Sequence, residues 1–293
     1  MVNVMNVANL VIQGVSLSFV TKFDKIKFNT NNCWENDVAP IDYYDSLIET
    51  HTNKWIDNFH DDYQVIKIND EYELSWMKKA NEISSQTGKF TELFEDELEI
   101  FLEKYKQDYE HIFDGTEYFI RAENVSFKYG EFKEGPYTDF KSVIKSMLSC
   151  IGSHTPIYKD TEQIKLYLLP WININKKQEF RVFVFNNKIT AISQQNLYER
   201  LYNDMPYDLF EELANFYIKI IHSYFYDEIV DKINLNNFSY DFAILDNGKS
   251  YFIEPNSFGK EYAAGSSLFD WIADDDILRQ NVEHPTIYFR YTF

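Results

Sequence analysis

In the stretch YDFAILDNGKSYFIEPNSFG, residues 240–259, three side chains carry the oxygen groups that hold a hard cation: Asp241, Glu254 and Asn256. Asn247-Gly248 is a favoured pair for a two-residue hairpin turn, whose twist matches that of the strands it joins. A turn centred there pairs 246 with 249, 244 with 251 and 241 with 254. Asp241 then faces Glu254. Two carboxylates about 5 Å apart repel by roughly 3 kcal/mol at an effective dielectric of about 20, so something positive must sit with them. In a bare pair, Asp241→Asn relieves the repulsion and raises the melting temperature of the ligand-free protein. If the register slips by one, the two carboxylates are instead an exposed pair at a sheet edge.

A second polar set lies in EFRVFVFN, residues 179–186. Glu179 and Arg181 are two apart and share one strand face, while Phe180, Val182 and Val184 take the other. Arg181 is either a planar fork for phosphate oxygens or a structural ion pair with Glu179. Charges turned out of such aromatic runs need partners if buried.

The elements that position these groups follow from periodicity. Residues 5–20, MNVANLVIQGVSLSFV, read as a strand rather than a signal peptide, because no basic segment precedes the apolar run. Residues 45–112 read as mostly helical and acidic, with Phe94, Leu98, Phe101 and Tyr105 at helical spacing. The period then changes to two. A strand is expected at 117–122, a helix with a Thr/Asp cap at 138–151, a buried strand at 164–174, and a hairpin at 179–195 turning near Asn186-Asn187. A long amphipathic helix at 207–233 leads into the last hairpin. The order predicts an α+β fold of two lobes with mainly antiparallel sheets and flanking helices.

Composition narrows the function. The 293 residues, 45% of them hydrophobic, can bury a large core, and the 18% aromatic content suits well-packed sheets. With 28 basic against 47 acidic residues and a net charge of −19, broad nucleic-acid binding is not expected; a nucleotide or a basic protein surface remains. Cys33 and Cys150 form no disulfide framework and no thiolate zinc site. No apolar run approaches the ~20 residues that span a bilayer, and a cytoplasmic location is expected. The six histidines show no HxxxH spacing, and no P-loop or GxSxG pattern occurs.

EFRVFVFNNKITAISQQ, followed at a distance by YDFAILDNGKSYFIEPNSFG, resembles the cell-division-cycle protein 123 family, and YFIRAENVSFKYG at 118–130 is similar to its first phosphate-contacting segment. The resemblance covers roughly residues 115–272 and implies an ATP-grasp-like fold related to RNA-ligase-like ATP-grasp proteins. Arg121 likens the chain to viral members, which carry Arg at the first phosphate-contacting position. Residues 1–110 are unmatched; the helical, acidic pattern there sets off an N-terminal, partly helical acidic lobe over 1–112, and the resemblance implies a nucleotide-binding region over 113–293, with ATP and Mg²⁺ as cofactors. Asp241, Glu254 and Asn256 would hold the Mg²⁺. Arg121, Ser126, Lys128 and Arg181 would meet phosphates, and Glu179 would orient Arg181 or meet the nucleotide. Leu169, Pro170 and Trp171, in the hinge LLPWIN, would present backbone groups to adenine. Solvation is an equal reading of Lys128, and a packed core ring is the preferred reading of Trp171 over a base-stacking platform. The family's D-F-N-P-F-G stands here as EPNSFG, and its Arg and Asp after the ISQ stand as Gln195 and Asn196.

Two functions follow from the resemblance. One is an ATP-binding assembly factor for translation initiation factor 2, with a basic subunit of that factor as partner. The other is an ATP-grasp carboxylate-amine ligase acting through an acylphosphate. A nucleotidyl-transferring RNA ligase is weaker, because Arg121 stands where that chemistry needs a nucleophilic lysine.

Overall fold

The computed structural model describes residues 9–22, 34, 38–262 and 264–293. Cys33 lies outside the described residues. The chain divides into two compact units, one of residues 1–50 and 174–293, the other of residues 51–173.

The first unit is built on a six-stranded sheet in the order β1 (Leu10–Val15), β9 (Ile287–Thr292), β6 (Lys188–Gln194), β5 (Glu179–Phe185), β7 (Phe238–Ile244) and β8 (Ser250–Asn256). Of the strand expected over 5–20, residues 5–8 lie outside the described residues, Leu10–Val15 form β1, and residues 17–20 belong instead to the short helix α1 (Leu17–Lys22), after which comes α2 (Tyr43–Glu49). Strand β9 runs parallel to both of its neighbours, whereas the remaining pairings in both units are antiparallel. The mainly antiparallel α+β expectation therefore holds. Helix α7 (Tyr207–Tyr224) buries Ala214, Tyr217, Ile218 and Ile221, one stripe at helical spacing. Tyr217 lies 5.1 Å from Phe180 of β5. Beyond residue 224 the chain widens into a π-helical turn, Phe225–Ile229, so the α-helix is shorter than expected; Phe225 still stacks on Tyr240 at 6.2 Å. The opposite sheet face carries Phe183 and Ala191, packed with Phe258, Phe269, Trp271 and Leu278.

The two hairpins differ in how they turn. Asn186 and Asn187 both take positive φ, 49° and 57°, the geometry of a two-residue type I′ turn, as their sequence predicts. The second hairpin does not turn on Asn247-Gly248 alone. Leu245 N donates to Lys249 O and Gly248 N to Leu245 O, with Gly248 at φ 78°, so three residues form the loop. Pairing next to it is therefore Ile244 with Ser250, one residue from the expected 244–251. A β-bulge between Asp241 and Phe242 then shifts the register back, and Asp241 pairs with Glu254. The expected facing of the carboxylates is observed because two one-residue shifts cancel.

The second unit holds a three-stranded sheet in the order β2 (Gln64–Ile68), β4 (Ile164–Pro170) and β3 (Tyr118–Arg121). Helices α4 (Glu71–Ser84), α5 (Glu95–Tyr109) and α6 (Phe140–Ser149) cover it through a core that includes Trp76, Phe101, Ile120, Phe140, Met147 and Leu168. The strand β2 falls inside the run expected to be mostly helical. Its Val65, Ile66 and Ile68 are β-branched, and Asp70 starts the next helix by accepting from Tyr72 N and Glu73 N. The boundary expected at 112/113 falls within this unit, since Phe140 packs on Phe101 and Tyr109 at 6.0 and 4.2 Å. Among the described residues no helix is long and apolar enough to cross a membrane.

Asp139 caps α6, its Oδ1 accepting from Ser142 N at 2.8 Å. Asp139→Ala should cost about 1 kcal/mol, read as a lower urea midpoint at unchanged slope. Asp139→Asn, which keeps the acceptor, should stay near the original midpoint.

Candidate functional site

One register row crosses the whole six-stranded sheet and carries a polar side chain on every strand. Gln13 of β1 pairs with Arg290 of β9, Arg290 with Ser193 of β6, Ser193 with Arg181 of β5, Arg181 with Asp241 of β7, and Asp241 with Glu254 of β8. Paired residues point to the same sheet face, so the row is continuous. It is flanked by the aromatic cluster around Phe183.

The positive group that the facing carboxylates require is Arg181. Its Nε donates to Asp241 Oδ1 and its Nη2 to Asp241 Oδ2, both at 2.8 Å, and its Nη1 donates to Gly265 O at 2.8 Å. This planar fork is the geometry that arginine offers and lysine cannot. Both partners are nearly buried, with side-chain exposures of 11% and 5%. Burial alone would lower the guanidinium pKa, but the adjoining Asp241, with the charges of Glu254 and Glu179 beyond it, holds it above the ordinary arginine value. Glu179, expected to orient Arg181, acts on it here through its charge; its Oε2 accepts from Asn196 Nδ2 at 2.9 Å. Gln195 Nε2 donates to Asp241 Oδ2 at 3.3 Å. The two residues that depart from the family pattern thus provide neutral amide donors to the site's carboxylates.

A segment following β8 closes over the row. Besides Gly265 O on Arg181, Ser267 Oγ donates to Gln195 Oε1 at 3.2 Å and Leu268 N to Ser193 Oγ at 3.1 Å. Farther along, Asp274 receives a second fork, from Arg290 Nη1 and Nη2 at 2.6 and 2.8 Å.

The donor set fits a magnesium ion. An ionised carboxylate offers about four lone-pair sites; at Asp241 two meet Arg181 and one meets Gln195, which leaves about one. Glu254 stands opposite, and Asn256, two residues on, shares its face. Asn256 Nδ2 is buried without a hydrogen-bond partner, as is Ser239 Oγ directly across the strand pair. Two carboxylates and an amide oxygen are hard ligands of the kind Mg²⁺ takes, alongside phosphates and water. Among the described residues no group of three or more His, Cys, Asp and Glu side chains is placed to hold a metal.

The remaining expected residues lie in the second unit. Arg121 is 3% exposed on β3, its Nε donating to Thr52 Oγ1 at 2.8 Å and its guanidinium 4.9 Å from the Trp55 ring. Ser126 forms a backbone bridge to Arg121. Lys128 is exposed, its Nζ 5.8 Å from the Tyr129 ring. Leu169 and Pro170 end β4, and Trp171 follows. Trp171 N donates to Glu117 O at 2.8 Å, so the amide expected to face adenine is committed to a backbone bond within this unit.

Sequence reasoning missed several neighbours. Thr52 and Trp55 lie on the short helix α3 (Thr52–Phe59) and enclose Arg121. Glu123 accepts from Lys165 Nζ at 2.9 Å and from Tyr167 OH at 2.7 Å; burial, then the Glu123 hydrogen bond, raises the Tyr167 pKa. Arg290 and Asp274 were missed as well. A charge alternating with aromatics in TIYFRYT, the pattern used at Arg181, is the signal that marks Arg290.

Comparison with known proteins places this architecture. The solved structure of Cdc123 from Schizosaccharomyces pombe superposes with a TM-score of 0.56 at 15% identity, over 84% of this chain and 97% of that one. A C-terminally truncated form of it gives 0.55 over the same shares. At this identity the likeness is one of fold. In sequence, the translation initiation factor eIF2 assembly protein of Vanderwaltozyma polyspora is 31% identical over 114 residues, 39% of this chain. The match spans 28% of that protein's length. The sequence model of the D123 family matches residues 138–292, a run that contains every strand of the polar row but β1, and on that match the chain belongs to the D123 family.

Proposed function

We propose that this chain binds Mg-ATP in an ATP-grasp-like site along the Arg181–Asp241–Glu254 row, and that it is a cytoplasmic assembly factor acting on a basic subunit of translation initiation factor 2. The observation that carries the nucleotide reading is the bidentate Arg181–Asp241 fork placed directly opposite Glu254. It puts a fixed cation and a pair of hard anionic ligands in one line, as a bridged phosphate needs. A bound Mg²⁺ would supply the charge that lets this acidic face accept a triphosphate. Arg181 would keep Asp241 oriented through its two hydrogen bonds, and Asn256 would bring an amide to the same face. The partner reading rests on the name of the V. polyspora relative and on the net charge of −19, which suits a basic surface.

Calorimetric titration with ATP tests the site. Binding should be seen with Mg²⁺ and weaken by more than about tenfold, 1.4 kcal/mol, on chelation; equal affinity in both conditions sinks the metal assignment. Stoichiometric capture of the basic subunit without turnover supports the assembly role. ADP and phosphate released only when a carboxylic acid and an amine are both supplied would mark the chain as a ligase.

A further inference from the structure

We infer that Arg290 and Asp274 are positioning residues for the cation site, although neither reaches it; this rests on the Mg-ATP reading. Strand β9 stands three places from β7 in the sheet, roughly 14 Å at the usual strand spacing. The link is a run of contacts. Arg290 uses all of its nitrogens: Nε donates to Gln13 Oε1 at 2.9 Å, Nη1 to Leu268 O at 3.2 Å and to Asp274 Oδ2, and Nη2 to Asp274 Oδ1. Its guanidinium also lies 4.2 Å from the Phe269 ring. Asp274 Oδ2 accepts from Asp270 N at 2.9 Å as well. The far end of the segment 265–274 is thereby fastened to the sheet.

The near end of that segment fixes the site. Gly265 O holds Arg181, and Ser267 Oγ holds Gln195, whose amide reaches Asp241. The Gln195–Asp241 bond, at 3.3 Å, is near the long limit for a hydrogen bond and is the first contact that a small shift of the segment would break. Groups that orient a metal ligand from behind commonly change metal affinity by about 10–100-fold when removed. Arg290 and Asp274 stand one step behind such groups. Lysine at 290 keeps the charge but cannot make the fork, so it separates geometry from electrostatics.

The test is a Mg²⁺ titration at fixed ATP by calorimetry, with hydrogen exchange of residues 265–274 followed on the same proteins. In Arg290→Lys the amides of Leu268, Phe269 and Asp270 should exchange faster, and half-saturation should need about tenfold more Mg²⁺. At saturating Mg²⁺ the ATP affinity should return to that of the unsubstituted protein. Ser267→Ala, which leaves the Arg290–Asp274 fork intact, should move the Mg²⁺ requirement the same way by a smaller factor; it keeps the idea testable if Arg290→Lys fails to fold. Faster exchange with an unchanged Mg²⁺ requirement would overturn the inference and leave the fork a structural clasp. If the unsubstituted protein itself shows no Mg²⁺-dependent binding, the Mg-ATP reading fails and this inference with it.

Discussion

Replacing Asp241 by Asn should lower the melting temperature of the ligand-free protein and remove most of the thermal shift that Mg-ATP produces. Facing carboxylates considered alone give the opposite sign, since losing one relieves repulsion of roughly 3 kcal/mol. The fork reverses that. Arg181 and Asp241 are 11% and 5% exposed, and removing one member of a buried pair leaves the other's charge uncompensated, at about 3–5 kcal/mol. Asn keeps one acceptor for the guanidinium and relieves Glu254, so the low end applies, about 3 kcal/mol. For a unit of this size that is a drop of about 6–12 °C. The ligand shift should vanish for a separate reason: stabilisation by a ligand scales with its affinity for the native state. Scanning calorimetry with and without Mg-ATP reads both. A ligand-free melting point at or above wild type would mean that the fork does not form in solution. A full Mg-ATP shift in the variant would mean that Asp241 holds no cation.

How far the sequence revealed the site depended on how local each relationship is. The type I′ turn at Asn186-Asn187 and the alternation of Glu179 and Arg181 against Phe180 and Val182 are set within a few residues, and both appear as expected. The pairing of Asp241 with Glu254 was legible for an incomplete reason, because the three-residue loop at Gly248 and the bulge beyond Phe242 each shift the register by one. The partner of Arg181 was not legible. Along the chain its nearest carboxylate is Glu179, two residues away, whereas Asp241 is 60 residues away and becomes a neighbour only when β7 lies beside β5. Arg290 depends on a still less local fact, the insertion of β9 between β1 and β6, and parallel pairings joined by long crossovers leave little trace in local pattern. In the second unit, the helical reading of 45–112 hid β2 and left Thr52 and Trp55 with no reason to meet Arg121.

Exchanging both members of the fork for apolar residues, Arg181→Met with Asp241→Leu, should separate the pair's role in folding from its role at the site. Replacing a buried ion pair by apolar residues of similar volume is often neutral or stabilising by about 1–4 kcal/mol, and the aromatic cluster around Phe183 and Phe269 offers such side chains apolar neighbours. Two local losses oppose this: Gly265 O loses its donor and Gln195 Nε2 its acceptor. Each unmade hydrogen bond costs about 1–3 kcal/mol when its group stays buried, so the double variant should melt near wild type and clearly above Asp241→Asn. One cation and one anion leave together, so the formal charge stays at −19 and a change in overall charge cannot explain the outcome. Glu254 and Asn256 remain, but the carboxylate opposite Glu254 is gone, along with the fixed cation beside it. Mg-ATP should then produce no measurable shift in a protein that is otherwise as stable as the original. A double variant that melts as low as Asp241→Asn would mean that the fork, with its carbonyl and amide neighbours, is required for the fold itself. One that keeps the Mg-ATP shift would place the nucleotide away from this row.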